Sequence, residues 1–86
     1  MRKAPEYQMM TESGLDITYV SPKIRSIKQM RNDEDLSQMV AVVEEMVKKV
    51  MDGGQRLETE DLTMEDVVEI FLHWTGRIEE NSKRSP

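Results

Sequence analysis

Apolar and polar residues alternate along this chain with two different periods, and the change of period predicts its elements. From Tyr7 to Val20 the period is two: Tyr7, Met9 and Thr11 on one side of Glu12-Ser13-Gly14, then Leu15, Ile17 and Tyr19 on the other. This spacing predicts a β-hairpin over residues 7–20, with Gly14 supplying a positive φ at the end of the turn. From residue 22 the period becomes helical. Ile24, Ile27 and Met30 recur every third residue, and Ser21-Pro22 has the form of an N-cap followed by proline in the first helical position. A short helix over 22–31 is expected.

The longest stripe follows: Leu36, Met39, Val40, Val43, Met46, Val47, Val50 and Met51. Its spacing predicts an amphipathic helix over 33–51, capped by Asn32 or Asp33, with Asp33, Glu34 and Asp35 at the positive end of the dipole. Asp52-Gly53-Gly54 reads as its stop. Residues 55–61 form a polar connection into which Leu57 alone brings an apolar side chain. A last helix over 64–79 is announced by Thr63 and Asp66, a capping-box pair, and by Leu62 and Val67, a hydrophobic staple. Its stripe is Val67, Ile70, Phe71, Trp74 and Ile78. Gly76 costs that helix about 1 kcal/mol relative to alanine, so fraying is expected to begin there. Residues 1–6 are expected to be a flexible arm and 81–86 a disordered tail. The predicted fold is mainly α: a short N-terminal β-hairpin followed by one short and two longer amphipathic helices, in a single small domain over 7–80.

Charge adds a polarity to this outline. Residues 1–31 carry six basic groups against three acids, whereas residues 32–80 carry fourteen acids against four basic groups. The whole chain has a formal net charge of −5. An acidic body is poorly suited to nucleic acid, whose affinity depends on neutralising phosphates. It suits a basic protein surface, or the basic end of a second copy of the chain. No apolar run approaches the roughly 20 residues that span a bilayer. A cytoplasmic protein without membrane contact is therefore expected. With 86 residues and no cysteine, there is no disulfide framework and no thiolate chemistry.

Catalytic constellations are scarce. His73 is the single histidine, one step off the apolar stripe, and reads as a boundary residue. The acid groups at 33–35 and 58–61 lack the alternating ligands, central glycine and terminal glutamate of a calcium loop. Gly53-Gly54 has no Lys-Ser or Lys-Thr after it, so it is no phosphate loop. A non-enzymatic protein with no metal and no cofactor is expected. Eight methionines are many for this length, and methionine suits either an irregular core or an adaptable interface. The candidate partner-binding residues are the basic strip Arg25, Lys28 and Arg31, the long-helix residues Met39, Val42 and Met46, and Trp74. Val42 lies off the main stripe, which implies a second neighbour for that helix.

Three segments carry a family resemblance: Ser13-Gly14-Leu15-Asp16-Ile17-Thr18-Tyr19, the basic segment from Pro22 to Arg31 before a long helix, and Leu62-Thr63-Met64-Glu65-Asp66-Val67-Val68-Glu69-Ile70-Phe71 leading into Arg77. In this order of elements the chain resembles the small tail-assembly chaperones and baseplate-hub assembly proteins of tailed bacteriophages. The resemblance implies a strand-like N-terminus, a helical body that binds a larger assembly component, and a place in the host cytoplasm or the virion. It carries over no individual functional residue. The expected function is a protein–protein interaction module, a phage tail or baseplate assembly factor or small structural subunit. The alternative is a small acidic regulatory adaptor that binds a transcription or replication protein.

Overall fold

The computed structural model describes residues 5–30 and 36–84. Among these, four strands and three α-helices follow in the order β1 (Glu6–Met10), β2 (Asp16–Val20), α1 (Ile24–Gln29), α2 (Leu36–Met46), β3 (Val47–Asp52), β4 (Gln55–Leu57) and α3 (Met64–Arg84), with one 3-10 turn at Thr59–Asp61. The strands form one antiparallel sheet in the order β1-β2-β3-β4. The mainly α expectation is therefore corrected: the fold mixes helices with a four-stranded sheet. Its added half is β3, from the segment expected to finish the long helix, and β4, from the segment expected to be a polar connection.

The reason lies in Val47 and Val50. Their three-residue spacing fits a helix, yet it also fits one face of a strand that contains a bulge. In β3, Val50 pairs with Ile17 and Val47 pairs with Tyr19, while Thr18 pairs with Lys49. Lys48 is the extra residue, and it restores both valines to the face shared by Ile17 and Tyr19. Asp52 pairs with Gln55, so Gly53-Gly54 is a two-residue hairpin turn, and Gly53 at φ +66° takes the conformation that a leading turn glycine supplies. The same glycines that stop a helix here close a hairpin. Met46 passes into Val47 with no intervening loop.

Two cross-strand rows floor the core. Met9, Ile17, Val50 and Leu57 are opposite one another across all four strands, and Tyr7, Tyr19 and Val47 lie beside them. On this floor rest Met39, Val43 and Met46 of α2 and Val67 and Ile70 of α3, giving two layers around one apolar cluster. The other sheet face carries Gln8, Thr18 and Lys49 in one row and Met10, Asp16, Met51 and Arg56 in the next. This division is the usual one for an antiparallel sheet covered on one side.

Three further expectations change. Helix α1 begins after Lys23, which has no side-chain cap of its own, so the Ser21-Pro22 start is replaced. Helix α3 continues through Gly76 to Arg84, so residues 81–84, expected as part of a disordered tail, are helical. Glu6 belongs to β1 and not to an arm. The expected caps Asn32 and Asp33, residues 1–4, and the last two residues lie outside the described residues. The turn between β1 and β2 has Gly14 at φ +93°, closed by Thr11 N–H to the Leu15 carbonyl and by Gly14 N–H to the Thr11 carbonyl, both at 2.9 Å.

Candidate interaction surface

The start of α3 is fixed by an unusually busy carboxylate. Asp66 accepts the Thr63 N–H at 3.1 Å on Oδ2, and its own N–H donates to Thr63 Oγ1 at 3.2 Å. Its other oxygen accepts the Ser13 hydroxyl at 3.0 Å. Ser13 also shares a 2.8 Å bond with Thr11 Oγ1, which accepts the Leu15 N–H. Asp66 and Thr11 are both buried, and these bonds satisfy the polar atoms that burial strips of water. One turn later, Glu69 accepts the Glu12 N–H at 3.1 Å. The hairpin turn is thus clamped to the first two turns of α3.

That clamp forms one wall of an open groove of about 450 Å³, lined by Glu12, Leu36, Met64, Glu65, Val68 and Glu69. Leu36 opens α2 and is 51 % exposed; Met64 opens α3 and is 38 % exposed. Met64 and Val68 are one turn apart, and Leu72, 61 % exposed, continues the row another turn. The floor is aliphatic and the rim is three glutamates. Asp33, Glu34 and Asp35 immediately precede Leu36 in sequence. A surface of this kind favours an occupant with an apolar face flanked by cations.

The residues singled out from sequence do not form one exposed surface. Met39, Val42 and Met46 are buried and belong to the one apolar cluster. Val42 faces the second neighbour of α2, which is α1: the two helices bound a cavity of about 240 Å³ lined by Ser26, Gln29, Met30, Gln38, Ala41, Val42 and Glu45. Arg25 and Lys28 stand exposed on α1, and Arg31 lies outside the described residues. Trp74 is half-buried; its Nε1–H donates to Ser21 Oγ at 3.1 Å and its ring meets Phe71 edge-on at 5.7 Å. It anchors the chain between β2 and α1.

Helix α1 is held by Glu45 of α2, which accepts the Lys23 N–H at 2.9 Å and the Ser26 hydroxyl at 2.7 Å. These two bonds, the backbone one foremost, hold the Glu45 carboxyl below its ordinary range. Glu45 supplies from another helix the capping that Ser21 was expected to provide. The groove was missed because Met64, Val68 and Leu72 form a second row beside the stripe that reads as core. Their four-residue spacing was the available signal.

His73 sits further along α3, one turn beyond Glu69. Its Nδ1 is 2.6 Å from the buried Tyr19 hydroxyl, and the two rings meet edge-on at 5.7 Å. Burial, reinforced by the neighbouring Tyr7, pushes the Tyr19 phenol up to about 12 despite the opposing pull of Arg77. Burial first, and then the Arg77 charge, hold the imidazole below its ordinary value. Both groups are therefore neutral near pH 7. The buried hydroxyl needs an acceptor and Nδ1 supplies it, which leaves the ring proton on Nε2.

Neither a family model, nor a curated protein, nor a solved structure matches this chain. Among the described residues no three of His, Asp and Glu converge on a position that would hold a metal ion, and no helix is long and apolar enough to cross a membrane.

Proposed function

We propose that this chain is a non-enzymatic protein–protein interaction module whose acid-rimmed groove receives a basic, apolar-faced segment of a larger cytoplasmic partner. The observation that carries this proposal is the juxtaposition of Leu36, Met64 and Val68 with Glu12, Glu65 and Glu69 around one open groove. Apolar contact supplies affinity there, and the carboxylates select the sign of the flanking charge. An assembly factor of a bacteriophage tail or baseplate is one setting for such a module. That setting draws on an order of elements with one unbroken long helix, for which the chain has α2 followed by β3; the groove supports the interaction module independently of it. The glutamate rim favours the second reading, an acidic adaptor, to the extent that capture depends on salt.

The test uses a synthetic helical peptide with leucines at i, i+3, i+4 and i+7 and lysines between them, and a counterpart with glutamates for lysines. Backbone and methyl resonances of the full chain are followed during titration. The basic peptide should shift Leu36, Met64, Val68 and Leu72 together, and Met64→Glu should weaken it about tenfold. The acidic peptide should not bind. Shifts scattered over the acidic surface, or indifference to Met64→Glu, would sink the proposal. Steep loss of binding with added salt assigns the chain to the adaptor reading; near-independence of salt assigns it to apolar docking. A second copy is the other occupant the experiment can reveal, because exposed Ile24 opens α1 with Lys23 before it and Arg25 and Lys28 after it. It would appear as a mass rising with concentration that Ile24→Asp abolishes.

A further inference from the structure

A cleft of about 350 Å³ lies between β1 and the middle of α3, lined by Glu6, Tyr7, Gln8, His73 and Arg77. We propose that this cleft binds an oxyanion, a carboxylate or a phosphate, gripped by the Arg77 guanidinium and the His73 Nε2–H.

Three features prepare it. Tyr19 occupies Nδ1 from within the core, so the imidazole is fixed in orientation and its remaining N–H lies on the far edge of the ring. Arg77 follows His73 by four residues, which places both on one face of α3. The guanidinium carbon lies 5.8 Å from the centre of the Tyr7 ring, and Tyr7 in turn packs on Tyr19 with ring centres 5.3 Å apart. A guanidinium resting on an aromatic face keeps its in-plane N–H groups for a ligand, and their fork matches two oxygens of a carboxylate or phosphate.

Glu6 borders the cleft at the start of β1, and its negative charge limits affinity for any anion. The groups facing the imidazole are Glu6 and Tyr7 from β1, Tyr19 from β2 and Arg77 from α3. Of these, His73 is the one whose gain of a proton adds positive charge to the cleft. Oxyanion binding should therefore tighten as pH falls through the lowered His73 pKa, and bound anion should raise that pKa. The cleft shares no residue with the groove lined by Glu12, Leu36 and Met64.

The full-length chain is titrated separately with inorganic phosphate and with acetate, following the His73 ring and the Arg77 side-chain N–H by NMR. The expected result is a saturable, joint shift of both groups, with the tighter of the two anions naming the ligand class. Arg77→Gln should weaken binding about tenfold, the loss expected for a charge-assisted hydrogen-bonded pair. Arg77→Lys should recover part of it, since an ammonium keeps the charge without the fork. Glu6→Gln should tighten it several-fold. Unchanged Ile17 and Val50 resonances in each variant establish that the fold is intact. The proposal is overturned if neither anion moves His73 and Arg77, or if Arg77→Gln binds as the parent does.

Discussion

The two ends of the packed part of α3 border the same apolar cluster, yet they present opposite chemistry. The first end, from Met64 to Glu69, offers aliphatic side chains among glutamates and is clamped by hydrogen bonds from a hairpin turn. The second end, from His73 to Arg77, offers an imidazole edge-on to Tyr19 and a guanidinium over Tyr7. The buried stripe, Val67 and Ile70 with Phe71 and Trp74 beside them, runs under both. Burial therefore fixes where the helix lies without fixing what it shows. One turn off the core-facing stripe, the chain is free to place whichever charge an end requires.

Substitutions can separate the shared foundation from the two ends. The largest effect belongs to the foundation: Ile70→Ala, at a fully buried site, should cost about 3 kcal/mol in urea unfolding. Amide exchange should then accelerate at both ends alike. Asp66→Ala should cost less, about 2 kcal/mol, because it removes the helix-start pair and the Ser13 anchor together. Its exchange signature should be confined to Glu12–Leu15; equal acceleration around Tyr19 would erase the distinction between the ends.

Tyr19→Phe acts on the opposite end and should cost about 1 kcal/mol, the worth of one hydrogen bond. It should also raise the His73 pKa, because the lost bond stabilised the neutral imidazole. A histidine titration that stays where it was would show that Tyr19 is not the donor. The smallest effect is pH-dependent. The native chain holds His73 below the ordinary 6.5, so the unfolded chain takes up the proton first as pH falls. Stability should decline from about pH 6.5 down through the lowered native value and level off below it. His73→Gln should flatten that part of the profile.

Much of this architecture could be read from residue order. Glu12-Ser13-Gly14 marked the turn that Gly14 closes, and Thr63 with Asp66 marked the start of α3, because both signals act within a few residues. The identity of Val47–Asp52 was not readable, since a spacing of three suits a helical turn and a bulged strand equally. What decides it is Ile17 and Tyr19, some thirty residues earlier, whose strand has an edge to be filled. For the same reason Met39, Val42 and Met46 resembled an interface: periodicity gives the faces of a helix but not which neighbours cover them. The groove combines residues from the first hairpin and from the starts of two helices, a combination that only the folded chain assembles. The cleft likewise needs Tyr7, Tyr19 and Arg77 to meet.

The direct passage from Met46 to Val47 leaves the chain with no slack at its centre. One residue added there would swing α2 by about 100° against the strand, or turn the strand over and send Val47 and Val50 to the solvent side. Extra length is tolerated at Gly53-Gly54, where the backbone already reverses at the surface. Natural and engineered versions of this protein should differ in length at that tip and keep the same count of residues through the helix–strand seam.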